Sequence, residues 1–141
     1  MLKFLLPVDG SEASNRAISG LIGRLEWYRE TPEIHLLNVQ FPQHGNVTRF
    51  IGRENVEQYH QEEGMKGLGP ARALLEEAGL VCRYHITVGI PEEVITRYAM
   101  EMGFDLIVIG PRGLGMVKGL LLGSVASRVM QLSTVPVLLI R

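Results

Sequence analysis

The residues best suited to chemistry fall in one run near the C-terminus, Gly110-Pro111-Arg112-Gly113-Leu114-Gly115-Met116-Val117-Lys118-Gly119-Leu120-Leu121-Leu122-Gly123-Ser124. The run begins where an apolar stretch ends and finishes where a helical pattern starts. A helix start carries N–H groups with no partner inside the helix and a partial positive charge, and both favour an anion. Glycines let such amides approach the anion with no side chain between. Ser124 adds a hydroxyl, while Arg112 and Lys118 add positive charge. Phosphate is the chemistry that this set suits. A tight strand-to-helix connection would also use several glycines, so the loop alone leaves both readings open. Two familiar phosphate motifs are excluded. There is no Gly-x4-Gly-Lys-Ser/Thr, and Gly113, Gly115 and Gly119 follow Gly-x-G-x-x-x-Gly rather than the dinucleotide fingerprint. The run also lies too near the C-terminus for an acidic ribose partner about 20 residues on.

Other candidates carry less. His35, His44, His60 and His85 share no metal-ligand spacing and fall on different elements. Cys82 sits in an apparent strand and reads as a packed thiol; a single cysteine allows no internal disulfide. No Gly-x-Ser-x-Gly elbow appears. Glu62-Glu63 and Glu76-Glu77 are adjacent, so they point to different sides of a helix and read as a solvated face. Asp9, at the end of the first apolar run, could brace a turn or cap the next helix. The methionines read as fillers of core and interface gaps. No general base is placed to activate water against a phosphate.

The elements that must position these residues alternate in type. Apolar runs at 2–8, 33–40, 80–88, 105–109 and 135–140 read as strands. Between them, helical spacing covers 12–28, with Ser11 as cap and Glu12 at its positive end. It returns over 53–79, where Gly64, Gly67, Gly69 and Pro70 predict a kink or break. A third helix starts at Pro91, and a fourth covers 124–132. Residues 41–52 read as a loop. The alternation predicts one α/β domain over 1–141: a five-stranded, mostly parallel, doubly wound sheet with helices on both faces. Ligands of such sheets bind beyond the carboxyl ends of the strands, where strand order reverses. Asp9-Gly10 and Gly110 are the candidate ends.

Composition narrows the partners. Across 141 residues, 14 Lys plus Arg stand against 15 Asp plus Glu, a formal net charge of −1, which argues against nucleic acid. The N-terminal apolar run is too short for a signal-peptide core, and no stretch is long enough to span a membrane. A cytoplasmic protein is expected.

Gly110-x2-Gly113-x9-Gly123-Ser124 resembles the ATP-binding branch of the universal stress protein family. The likeness extends to Val8-Asp9-Gly10-Ser11-Glu12, Gly89-x-Pro91, Asp105–Gly110 and Val135-Pro136-Val137-Leu138, and is weakest over about 41–70. It implies a Rossmann-like sheet of the adenine nucleotide α-hydrolase kind, in strand order 3-2-1-4-5. It also implies roles. Asp9 and Val39 would meet adenine, with Pro7 shaping that wall, and Ile109 and Gly110 would line the ribose. Gly113, Gly123, Ser124 and Val125 would hold the phosphates, aided by Arg112 and Gly115. Pro111 departs from the family's small hydroxyl residue and removes one backbone donor. The ligand implied is ATP with Mg²⁺, and the assembly a homodimer through Val135–Ile140. The function implied is stress-response or regulatory, with slow hydrolysis at most. Two rivals stand beside it: an adenylyl transferase or ATP pyrophosphatase on a related fold, and an interaction module that binds no nucleotide.

Overall fold

The computed structural model describes residues 1–42, 52–113 and 121–141. Within them, Lys3–Pro7 (β1), Glu33–Gln40 (β2), Cys82–Val88 (β3), Leu106–Ile109 (β4) and Val137–Leu139 (β5) pair in the order β3-β2-β1-β4-β5. Every pairing is parallel. Helices Glu12–Ile22 (α1), Arg53–Glu77 (α2), Pro91–Glu101 (α3) and Ser124–Leu132 (α4) make the crossovers. The five-stranded doubly wound α/β sheet expected from the alternation is the fold observed.

Strand residues alternate between two cores, as a sheet covered on both faces requires. Phe4, Leu6, Ile34 and Leu36 pack with Ala17, Ile18 and Leu21 of α1 and Leu68, Ala71 and Leu75 of α2. Leu5, Leu37, Ile107 and Ile109 pack on the other side with Ile95 and Ala99 of α3 and Ala126 and Val129 of α4.

Two elements differ from expectation. The first helix stops at Ile22 with Gly23 as its C-cap, and a 3₁₀ turn, Leu25–Trp27, follows. The helix of 53–79 has no break: α2 runs from Arg53 through Pro70 to Glu77. Proline inside a helix costs about 3 kcal/mol or more. Against that, Leu68 and Leu75 are fully buried, each contributing about 1.5–3 kcal/mol. Pro70 and Lys66, whose carbonyl would have accepted the missing bond, both lie on the exposed face, where water can serve. Packing outweighs propensity here. The loop expectation for 41–52 falls mostly outside the described residues.

Candidate functional site

The strand order reverses between β1 and β4, so the chain leaves these neighbours toward opposite faces and opens a cleft. Its floor is built by close backbone contact. Gly10, just after β1, has φ +84°, a conformation that glycine adopts at no steric cost. Asp9 then folds back, its Oδ1 accepting the Ser11 N–H at 2.9 Å. Ser11 Oγ accepts the Ser14 N–H at 3.2 Å and so caps α1, as its position suggested. A Cβ on Gly113 would stand 2.5 Å from Asp9 Oδ2, so glycine lets the loop after β4 lie against this carboxylate without displacing it.

The cleft has a volume of about 720 Å³, within the usual range for small-molecule sites. Pro7, Asp9, Val39, Ile109 and Gly110 line it from the strand ends. Arg112, Gly113, Gly123, Ser124 and Val125 line it from the loop and α4. Gly115 lies outside the described residues, as does Lys118. Gly123 holds the N-cap position of α4, and its N–H donates to the Pro111 carbonyl at 2.7 Å. The donors begin instead at Ser124, Val125 and Ala126, since Ser127 is the first to bond back, to the Gly123 carbonyl. Leu37, Ile95, Pro91 and Ala126 add an apolar wall beside them. An anion can rest on the helix end while a flat apolar group enters the slot.

Several lining residues escaped the sequence reading. Buried Asn38 donates from Nδ2 to the Val8 carbonyl at 2.9 Å, and its Oδ1 accepts from Gln40 at 2.6 Å. It thereby fixes the β1 end that carries Asp9. A lone Asn in the apolar run Ile34–Val39 was the available signal. Glu63, read as part of a solvated face, lines the cleft instead, with Lys66 and Gly67. Lys66 Nζ donates to Glu63 Oε1 at 3.1 Å, and this pairing raises the lysine pKa. Only the docking of α2 brings this turn to the site. Gly67 permits it, because a Cβ there would meet Asn38 Nδ2 at 2.5 Å.

Two histidines expected on separate elements also meet. His35 Nδ1 and His85 Nε2 stand 2.8 Å apart, with His85 in register beside Leu37 of the cleft wall. Cys82 fits its reading as a packed thiol, with burial pushing its pKa up. Met1, Met100, Met102 and Met130 are exposed rather than filling the core. Among the described residues, no helix is long and apolar enough to cross a membrane, and no group of three or more His, Cys, Asp or Glu side chains could hold a metal.

A parallel sheet with an anion-accepting helix end and an apolar slot at its switch point defines a small α/β protein of the doubly wound class. The chain belongs to the universal stress protein family, whose family model matches residues 1–141. It is 31% identical to universal stress protein YxiE of Bacillus subtilis, over 99% of this chain and 98% of the relative. The solved structure of MJ0577, from Methanocaldococcus jannaschii, superposes with a TM-score of 0.82 at 30% identity, covering 99% of this chain and 94% of that one. A universal stress protein solved in complex with cAMP superposes with a TM-score of 0.70 at 26% identity, covering 99% and 97%.

Proposed function

We propose that this cleft binds an adenine nucleotide, ATP with Mg²⁺, and that the chain is a regulatory stress-response protein of the ATP-binding branch. The observation that carries the reading is the first turn of α4. Its amides at Ser124, Val125 and Ala126 face the same cleft as the apolar slot between Val39, Ile95 and Ile109. Phosphate suits the amides, and a planar base suits the slot. Arg112 and Lys66 both line the cleft and add positive charge for a polyphosphate. Mg²⁺ enters with the phosphates, which bridge it without a dedicated protein cage. The related protein solved with cAMP supports an adenine ligand.

Turnover is slow or absent in this reading. Asp9 braces the turn through the Ser11 N–H, and Glu63 is paired with Lys66, so both carboxylates hold structure rather than water. A homodimer forms through Val135–Ile140, where β5 ends the sheet and offers an edge for pairing. The working compartment is the cytoplasm.

The test is to denature the purified protein and identify the released nucleotide by mass spectrometry, then titrate nucleotide-free protein with ATP and AMP by calorimetry. ATP in the released fraction and heat on titration are expected. No nucleotide, with no heat from either ligand, would overturn the reading.

A further inference from the structure

On the α3 side of β2 and β3, polar side chains from three elements join in a continuous line between the sheet and α3. His35 Nε2 lies 2.6 Å from Glu33 Oε1, His35 Nδ1 lies 2.8 Å from His85 Nε2, and the Tyr98 hydroxyl lies 2.8 Å from His85 Nδ1. The two imidazole planes differ by 2° with centroids 5.1 Å apart. That separation exceeds the N···N distance by about two ring radii, so the rings lie edge to edge in one plane, aligned for hydrogen bonding. His35 is buried, and Phe104 covers its ring edge-on at 4.9 Å.

The protons of this line can be assigned by elimination. An ionised carboxylate only accepts, and the Glu33 carboxyl is held below its usual range, first by the His35 hydrogen bond. His35 Nε2–H therefore donates to Glu33. Neutral His35 then has a bare Nδ1, which accepts from His85 Nε2–H. His85 Nδ1 is bare in turn and accepts from the Tyr98 O–H. Every nitrogen is satisfied with both imidazoles neutral. One added proton is also accommodated: His85 Nδ1–H donates to Tyr98 once that hydroxyl rotates, and the charge on the pair faces Glu33. A second cannot be. His35 Nδ1–H and His85 Nε2–H would then point at each other across 2.8 Å, and two imidazolium ions would share one contact.

We infer that Glu33, His35, His85 and Tyr98 form a latch that takes up one proton intact and parts between His35 and His85 on the second, displacing His85 with the Tyr98 bonded to it and so loosening α3 on the sheet in acid. The surrounding charges act in the same direction. Among the described residues, β1 contributes Lys3, whose Nζ lies 4.7 Å from the Phe104 ring centre. β3 contributes Arg83, 3.7 Å from Glu33. Asp105, ahead of β4, is held by the Lys3 N–H at 2.8 Å. Burial, then His35, Arg83 and Lys3, depress the His85 pKa. The consequence reaches the cleft, because Tyr98 lies one turn of α3 from Ile95, which with Pro91 belongs to the cleft wall. That coupling rests on the nucleotide reading above; the latch itself does not.

The decisive experiment uses nucleotide-free protein. Imidazole ¹⁵N shifts and α3 amide protection factors are recorded from about pH 8 to about pH 4.5, which brackets histidine titration. The pair should titrate in two separated steps, with α3 protection falling about tenfold or more only in the second. In His85→Gln, whose amide accepts from Tyr98 and donates to His35 but does not titrate, α3 protection should stay level. In Glu33→Gln the first step should move acidward by about one pH unit, which tests the latch even where the His85 variant fails to fold. Independent titration of both rings near the ordinary histidine value, equal acid loss of protection in His85→Gln, or an unmoved first step in Glu33→Gln would overturn the latch. Coupling is read separately with AMP. Its affinity should fall about threefold more between about pH 7.5 and about pH 5 in the parent protein than in His85→Gln, which shares the titration of the AMP phosphate. Equal falls would overturn the coupling. Absence of AMP binding at about pH 7.5 would overturn the cleft reading and the coupling with it, leaving the latch to the first experiment.

Discussion

The two polar regions of this sheet are built on opposite plans. The cleft at the strands' carboxyl ends is made largely of backbone: Gly10 and Gly110 bring main chain together, Gly113 lies against the Asp9 carboxylate, and α4 turns its first amides outward. The line between β2, β3 and α3 is made wholly of side chains, each engaging the next. A backbone site leaves donors open to a visitor and is damaged by adding atoms. A side-chain line consumes its own donors and is damaged by removing them. Openness marks a place to bind; closure marks a place to hold.

The largest test of this contrast is Gly113→Val. Its Cβ would run into Asp9, so AMP affinity should fall about 100-fold, or about 2.7 kcal/mol, measured by calorimetry. The melting temperature should change little, because Gly113 is not part of either core. A variant that melts early yet binds normally would erase the contrast.

His85→Ala is the converse deletion. It strands His35 Nδ1 and the Tyr98 hydroxyl, at a cost of about 2 kcal/mol, read by urea denaturation. AMP affinity near neutral pH should be kept within a few fold.

Acid sharpens the same point in the unaltered protein. The His85 pKa is depressed in the fold, so its contribution is complete above the unfolded value of about 6.5. It is lost as pH falls below that value toward the folded one. The lowered Glu33 adds a further loss with the same sign, beginning near the carboxylate range. The midpoint of urea unfolding should therefore fall from about pH 6.5 downward, and His85→Gln should remove the upper part of that fall.

Smaller effects probe the rim and a neutral control. Lys66→Ala should weaken ATP about threefold and adenosine not at all, because an exposed cation contributes modestly; equal effects on both would place Lys66 away from the phosphates. Gly69→Ala sets the gain in helix propensity, about 0.5–1 kcal/mol, against crowding of the new Cβ by the Pro70 ring that follows it, so urea denaturation should show little net change and calorimetry unchanged binding.

Much of the cleft was legible because its signals are local. Glycines, a cap and an apolar strand end reveal backbone geometry within a few residues of themselves. Ser11 caps α1 as its position predicts, and Gly113 lies beside Asp9. A break at Pro70 does not occur, because propensity is local while the burial of Leu68 and Leu75 that overrides it is not. Glu63 and Lys66 were invisible as site residues because only the docking of α2 brings them to the cleft.

The alternation of strand and helix, the turn chemistry and the helix starts are properties of neighbouring residues, and the sequence alone determined them. Which side chains meet across the sheet is a property of register. His35 and His85 lie 50 residues apart in the chain and become partners because β2 and β3 pair in parallel with His35 beside Arg83 and Leu37 beside His85. A shift of one residue would turn each ring to the opposite face. That register is settled by burying Leu36, Leu37 and Ile34 between two layers of helices, a decision taken by the whole core and by no single segment of it.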